Sequence, residues 1–452
     1  MGLTEDQILN GLNDEQKKAV VTTEGPVLIV AGPGTGKTLT IVRRIAYLIH
    51  QGVNPRNILA VTFTNRAARE MQERTELLLG NEARRVFIGT FHLLGLNIVR
   101  NEYSHNCVIV NREEQINLIR KLLKDSVCGK TSGRADSISE HISRIKNCME
   151  DIESEIKGVY EKYQDTLTSR DALDFDDLIL RPVEILKDSD LLKKYRDTYR
   201  FIMVDEYQDI NQAQYTLLTR LADLDGNLCV IGDSDQAIYA FRGADVSNFL
   251  NFEKDFSDAE IITLKENYRS TGVILNASNT TINNNKKRIA KSLHQTREKG
   301  TPITVISVPD ERSEGQVIVR EIEQRIGGTS HYQMMKTAQS PARPLAEEGR
   351  GDFDDEYSYS FSDFAVIYRT NAQAKAIEDA FASSGIPCQI IGRSYRQQRE
   401  EIMKVLGSLR VLGNPGDQQI SETIDYSSVA GDGKSKEMVR GLSGSVPLDE
   451  YL

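Results

Sequence analysis

No run of the roughly 18 apolar residues that a membrane-spanning helix needs occurs in this chain of 452 residues. Cysteine is scarce: Cys107, Cys128, Cys148, Cys229 and Cys388 are odd in number and scattered, and no CxxC pair occurs. That excludes a zinc ribbon, a CxxC redox site and a disulfide scaffold, and it fits a reducing cytosol. The opening MGLTEDQILNGLNDEQ lacks the basic and apolar stretches of a secretory signal. Asp6 stands where a myristoylation signal needs Ser or Thr. A cytoplasmic setting is therefore expected.

Basic residues are also outnumbered. Against 66 Asp and Glu stand 56 Lys and Arg, a net charge of −10. Averaged over the chain, that argues against a nucleic-acid partner. The average hides a cluster of Lys286, Lys287, Arg288, Lys291, Arg297 and Lys299, which reads equally as a nucleic-acid rim or a solvated face. Glu347, Glu348, Asp352, Asp354, Asp355 and Glu356 form an acidic run, best read as solvated.

At about 150 residues per domain, the length suggests about three domains. Short β-branched runs stand out: VLIV at 27–30, ILAVTF at 58–63, VFIGT at 86–90, FIMVD at 201–205 and LCVIGD at 228–233. Continuous apolar runs of this kind suit strands buried on both faces. Between some of them lie helical stripes. Ile41, Val42, Ile45, Ala46 and Leu48 form one; Ala68, Met71 and Leu78 form another, with Asn65 as N-cap and Gly80 as terminator. Strand, helix, strand implies crossover units and a parallel sheet. Residues 95–170 break the alternation and read as a helical insertion. A second set of strands, ITVISV at 303–308, FAVIYR at 364–369 and CQIIG at 388–392, implies a second α/β domain. The stretch 327–361 reads as a mobile loop, and the Gly- and Ser-rich tail from 414 as flexible.

AGPGTGKT at 31–38 directly follows a strand run and directly precedes a helical stripe. In such a loop, backbone N–H groups wrap phosphate oxygens and the helix N-terminus adds partial positive charge. Gly34 and Gly36 permit the turn, Lys37 faces the β- and γ-phosphates, and the Thr38 hydroxyl suits Mg²⁺. The strict pattern wants Gly at the first position, where Ala31 stands. In FIMVDEYQD at 201–209, the apolar run leads straight into Asp205 and Glu206 at a strand's C-terminal end, where open α/β sheets bind ligands. Asp205 there can hold Mg²⁺, and Glu206 can orient and polarise an attacking water.

Taken in order, AGPGTGKT, TFTNRAAREM (62–71), GTFHLLG (89–95), VDEYQD (204–209), IGDSDQAIYAFRGA (231–244) and LKENYRS (264–270) resemble the UvrD/Rep/PcrA group of superfamily-one DNA helicases. LNDEQKKAV (12–20) is similar to that group's adenine-contacting glutamine motif, and YRTNAQ (368–373) to a later motif of its second motor domain. The resemblance implies a P-loop NTPase of two RecA-like parallel-sheet domains, the first carrying a helical insertion. The layout it suggests is 1–94 and 171–262 for the first domain, 95–170 for the insertion, 263–413 for the second and 414–452 for the tail.

The resemblance also implies roles. The nucleotide would be ATP with Mg²⁺, cradled by Ala31, Gly32, Pro33, Gly34, Thr35, Gly36, Lys37 and Thr38. Gln16 would pair with adenine, and Leu39 stands where the family usually has Arg. Gln236 would sense the γ-phosphate, Tyr268 would stack on the base, and Arg269 would be an arginine finger from the second domain. Single-stranded DNA, or a tailed duplex, would meet Phe63, Asn65, His92, Tyr239, Phe241, Arg242, Arg369 and Asn371. Core packing is the rival reading for Phe63, Tyr239 and Phe241. Phe241 stands where the family commonly has Trp, a residue this chain lacks entirely.

Two later family motifs, one like VHxxKGLEF and one carrying a second arginine, do not occur in this chain. The second motor domain therefore reads as incomplete. The resemblance implies an ATP-dependent 3′→5′ translocase or helicase with repair-protein partners. The rival is a nucleotide- and DNA-binding module without unwinding activity of its own.

Overall fold

The five β-branched runs become neighbours in one sheet. The structure, a computed structural model, describes residues 3–105, 107–124, 132–223, 226–326 and 359–391. Strands β1 (Val27–Ala31), β2 (Ile58–Thr62), β3 (Phe87–Thr90), β6 (Phe201–Val204), β7 (Asn227–Gly232) and β8 (Glu260–Leu264) form a six-stranded sheet in the order β3-β2-β6-β7-β1-β8. Every ladder in it is parallel. Alternate residues of each strand feed opposite layers. Leu28, Val30, Leu59, Val61, Ile202, Val204, Leu228 and Val230 pack with Phe249 and Phe252 on one face. Val27, Ile29, Ile58, Ala60, Met203, Cys229 and Ile231 pack with Ile41, Ile45 and Met71 on the other.

The helix Lys37–His50 buries the anticipated stripe of Ile41, Val42, Ile45, Ala46 and Leu48. In the helix Asn65–Leu79 the cap is Thr64, whose hydroxyl accepts from the Ala67 N–H; Asn65 is the first helical residue instead. Gly80 ends that helix at φ +59°. The insertion folds around its own core, with Ile119, Leu123, Ile138, Ile142, Tyr163 and Leu167 drawn from the helices Arg112–Lys124, Ser132–Cys148 and Ser154–Ser169. The helix Phe91–Glu102, partly assigned to the insertion by sequence, instead packs Phe91, Leu94 and Ile98 into the main core. Two short parallel strands, β4 (Val108–Val110) and β5 (Ala172–Asp174), join the two ends of the insertion.

The first compact unit runs to Thr304 and so takes in residues 263–304, which the sequence reading gave to the second domain. In the second unit, the helices Glu311–Ile326 and Asn371–Ser384 enclose Val319, Ile322, Ile377, Phe381 and Ile386. Here the strand expectation differs from the outcome. ITVISV, FAVIYR and the described part of CQIIG carry no strand ladder among the described residues. Phe364, Val366 and Tyr368 do alternate inward onto the helices, while Ile367 stays 93% exposed. The period-two pattern is thus real, but a ladder also needs a neighbouring strand alongside, and none flanks this run among the described residues. The loop 327–361 up to residue 358, the tail 414–452 and Cys128 lie outside the described residues. No helix among the described residues is long and apolar enough to cross a membrane.

Candidate functional site

Strand β1 ends at Ala31, and the chain turns through Gly34 at φ +71° and Gly36 at φ +86° before the helix begins at Lys37. Both angles lie in the left-handed region that glycine occupies without steric cost. The buried Thr35 closes the turn from within, its hydroxyl donating to the Gly32 carbonyl at 2.9 Å. The first N–H groups of the helix thus open into the loop, the arrangement that binds phosphate.

Facing this loop is the end of β6. The Lys37 ammonium donates to Glu206 Oε2 at 2.7 Å, with only 12% of the lysine side chain exposed. Glu206 itself sits at φ +51°, a left-handed conformation that a residue with a side chain adopts at a cost of ~1–3 kcal/mol. Such strain persists only where the surroundings enforce it, and here two donors do. Beside Lys37, the Gln208 amide donates to Glu206 Oε2 at 2.8 Å. Asp205 is buried, and burial together with the Glu206 charge raises its pKa to about 6. A cation at Asp205 would offset both effects. Asp209, also desolvated and close to Glu206, is likewise raised to about 6.

The segment after β8 is fastened to the phosphate loop. The Tyr268 N–H donates to the Gly34 carbonyl at 2.9 Å, and the Asn267 amide donates to the Pro33 carbonyl at 2.6 Å. A Cβ on Gly34 would meet the Arg269 Cβ at 2.5 Å, so the turn must be glycine to let Arg269 approach. Arg269 is exposed, and no acidic side chain pairs with it among the described residues. Tyr268 is 45% exposed; its hydroxyl bonds to Glu266 and accepts from the Asn13 amide at 3.0 Å. Leu39 lies half-buried one residue beyond Thr38. Gln16 is buried with both ends of its amide engaged. Oε1 accepts from the Asn13 N–H at 3.1 Å, and Nε2 donates to the Thr35 carbonyl at 2.9 Å. In the structure Gln16 braces the phosphate loop.

Three aromatic rings gather beyond the ends of β2 and β7. Phe63 and Tyr239 have centroids 4.9 Å apart, and Tyr239 and Phe241 6.0 Å apart. The Arg242 guanidinium lies 5.7 Å from the Tyr239 and Phe241 centroids. Phe241 is 78% exposed, which rules out core packing for it. Phe63, His92, Phe241 and Arg242 line a cavity of about 840 Å³, together with Arg112, His141 and Arg144 of the insertion. Burial lowers the His92 pKa to about 4, so at neutral pH its ring is available for stacking and carries no charge. Asn65 is exposed at the start of its helix. Arg369 and Asn371 belong to the second unit, where Thr370 and Gln373 form a capping box at the start of the helix Asn371–Ser384.

Three residues of this region had no individual signal in sequence. Phe175 is 57% exposed and stacks on His92 with centroids 3.9 Å apart. Its neighbours Asp174 and Asp177 are drawn inward onto the buried Lys146 ammonium at 2.6 and 2.8 Å, which leaves Phe175 outside. Gln208 also accepts from the Asp233 N–H at 2.9 Å, and Gly232 is the residue whose missing Cβ makes room for it. Gln236 donates to Asp233 Oδ2 at 2.7 Å. The third residue, Lys291, corrects the reading of the basic cluster: Lys291 and Arg288 turn into Asp233 and Asp235 and do not form an open rim.

A Phe241→Ala substitution is expected to weaken single-stranded DNA binding by ~1–3 kcal/mol with little change in salt dependence, because it removes a stacking face and no charge. Fluorescence anisotropy over a salt series measures both quantities. Unaltered affinity would mean that the exposed ring meets no base.

Two family models match the chain. UvrD/REP helicase N-terminal domain matches residues 12–257, and UvrD-like helicase C-terminal domain matches residues 262–436. Among curated proteins, the ATP-dependent DNA helicase PcrA of Staphylococcus aureus (strain NCTC 8325 / PS 47) is 38% identical over 428 residues, covering 91% of this chain and 55% of that protein. The ATP-dependent DNA helicase PcrA of Bacillus subtilis (strain 168) is 38% identical over 435 residues, covering 92% of this chain and 55% of its own length. The chain therefore spans about half the length of the curated relatives it matches.

Proposed function

The chain belongs to the UvrD/REP helicase family, and from that membership we propose that it couples ATP hydrolysis to 3′→5′ movement on single-stranded DNA. The observation that carries this reading is a continuous hydrogen-bonded path. It runs from Lys37 to Glu206, to Gln208, and to Asp233, where the loop bearing Tyr239 and Phe241 begins. A motor needs such a connection, because a change at the phosphates must be felt at the nucleic acid.

In this reading the ATP phosphates enter the loop 31–38 and draw Lys37 away from Glu206. The freed carboxylate accepts a proton from the water that attacks the γ-phosphorus. Arg269, held beside Gly34, stabilises the charge that spreads over the phosphoryl oxygens. Tyr268 offers its ring to the base. Mg²⁺ would be held by Thr38 and Asp205, whose hydroxyl and buried carboxylate match its preference for a few oxygen donors with phosphate completing the set. Its contribution is to neutralise developing phosphate charge. The strand would lie on Phe63, Tyr239, Phe241 and Phe175, with Arg242, Asn65 and His92 beside it. Taken by itself, the second unit would meet the strand through Arg369 and Asn371. We place the protein in the cytoplasm, acting on single-stranded or tailed duplex DNA in repair; its described cysteines are free thiols.

ATPase assays with and without single-stranded oligonucleotide test the proposal. Turnover that rises with DNA and disappears with chelated Mg²⁺ is expected. DNA-independent turnover would remove the motor reading. Polarity is read from displacement of a bound block at one end of a single strand or the other. Arg369→Ala is expected to lower the slope of log affinity against log salt by about one unit, since one phosphate contact is lost. An unchanged slope would remove Arg369 from the DNA track.

A further inference from the structure

Lys291 lies outside every motif that carries the nucleotide chemistry, yet its side chain is 3% exposed and touches two carboxylates. Its ammonium donates to Asp233 Oδ1 and, at 2.5 Å, to Asp235 Oδ2. Arg288 adds a bond to Asp235 at 3.0 Å, which balances two acids with two bases in a nearly dry space. The same segment is laid on the loop a second time, where the Ile289 N–H donates to the Ser234 hydroxyl at 3.3 Å.

We propose that Lys291 is a positioning residue that couples the DNA-facing loop to the ATP site. It does so by fixing Asp233 and, through Asp233, the Gln236 amide; this deepens the motor reading and rests on it. Asp233 is the junction of the path. Its N–H donates to Gln208, which holds Glu206. Its Oδ1 accepts from Lys291 and from the Asp235 N–H, and its Oδ2 accepts from the Gln236 amide at 2.7 Å. A carboxylate paired with an ammonium only accepts hydrogen bonds. It therefore takes one N–H of Gln236 and fixes which end of that amide faces it. Once DNA seats the loop, the second N–H and the carbonyl oxygen of Gln236 are brought to the γ-phosphate and the attacking water. Without the Lys291 charge, the Asp233 carboxylate loses the cation that holds it in place, and the Gln236 amide loses its preferred orientation. The loop from Asp233 to Phe241 also loses two of its three ion pairs among the described residues, keeping only Arg288 on Asp235. Buried ion pairs contribute less to stability than apolar packing of the same shape, but they fix geometry.

The test compares the parental chain with Lys291→Met, which keeps length and packing, and Lys291→Arg, which restores the charge. ATPase is measured with and without single-stranded oligonucleotide, and backbone amide exchange is followed at residues 233–241. For Lys291→Met, the DNA-free rate and the KM for ATP should stay near parental. The DNA-stimulated kcat should fall about tenfold, the scale of coupling through a side-chain network. Exchange should quicken at 233–241 and not at 37–50. Lys291→Arg should recover most of the stimulated rate, a recovery that mere loss of stability would not show. If Lys291→Met fails to fold, Lys291→Gln, which keeps a hydrogen-bond donor toward the two carboxylates but no charge, carries the same expectations. Parental stimulation in a folded Lys291→Met chain, or unchanged exchange at 233–241, would overturn the proposal. If the parental chain itself shows no stimulation, the motor reading fails, and exchange at 233–241 alone then decides whether Lys291 holds the loop.

Discussion

Replacing Arg269 by alanine is expected to lower ATP turnover by ~10³–10⁵, the range measured for arginine fingers, while ATP binding survives. The expectation starts from position. Tyr268 and Asn267 tie the residues just before Arg269 to the carbonyls of Gly34 and Pro33, so its Cβ is held against the phosphate loop. Among the described residues no carboxylate competes for its guanidinium. A cation there is worth most when charge moves onto the phosphoryl oxygens, and less in the ground state, so kcat should fall further than affinity. Arg269→Lys should recover little, because a point charge cannot reproduce the planar fork. Single-turnover hydrolysis and fluorescent-nucleotide binding separate the two effects. A variant with parental kcat would show that the guanidinium never reaches the phosphates.

Legibility in the sequence followed burial. β1, β2, β3, β6 and β7 were readable because four of them lie inside a parallel sheet, dry on both faces, and so appear as unbroken apolar runs. β8 was not, because it is an edge strand whose Glu260 and Ile261 reach solvent. Three-residue strands such as β4 and β5 carry too little pattern to register. In the second unit FAVIYR at 364–369 is expected as a strand; its alternation is present, but it forms no ladder among the described residues, because pairing depends on a neighbour that no local pattern reveals.

The site divides along the same line. Lys37, Thr38, Asp205 and Glu206 stand at the junction of an apolar run and a turn, so local pattern found them. Gln208 meets its partner Asp233 across 25 residues, and Lys291 meets Asp235 across 56. Such contacts arise only when β6, β7 and the segment after β8 come together, and a lysine in a basic cluster carries no mark of its burial. Phe175 is similar: the acids on either side of it look like a solvated DFDD run until Lys146 is seen between them.

Glu206→Gln is expected to keep or tighten ATP binding and to lower hydrolysis by ~10²–10⁴, the usual contribution of a positioned base. The direction of the binding change follows from charge. Glu206 sits 2.7 Å from the Lys37 ammonium, and any phosphate that enters must displace it and then share the site with its negative charge. Glutamine is nearly the same size and can still accept from Lys37 and Gln208, but it carries no charge to compete for Lys37 or to repel phosphate. It also has no site basic enough to take a proton from water. Backbone strain does not differ between the two, since Gln at φ +51° meets the same Cβ contacts as Glu. Any loss is therefore chemical, not conformational. Glu206→Asp should lose nearly as much, because a shorter carboxylate withdraws from the water while keeping its charge. Phosphate release at saturating ATP, alongside titration with a fluorescent ATP analogue, gives both numbers. Parental turnover in Glu206→Gln would move the proton to another acceptor, and Asp209, already raised to about 6 and sharing the Gln208 amide donor with Glu206, would be the group to test next.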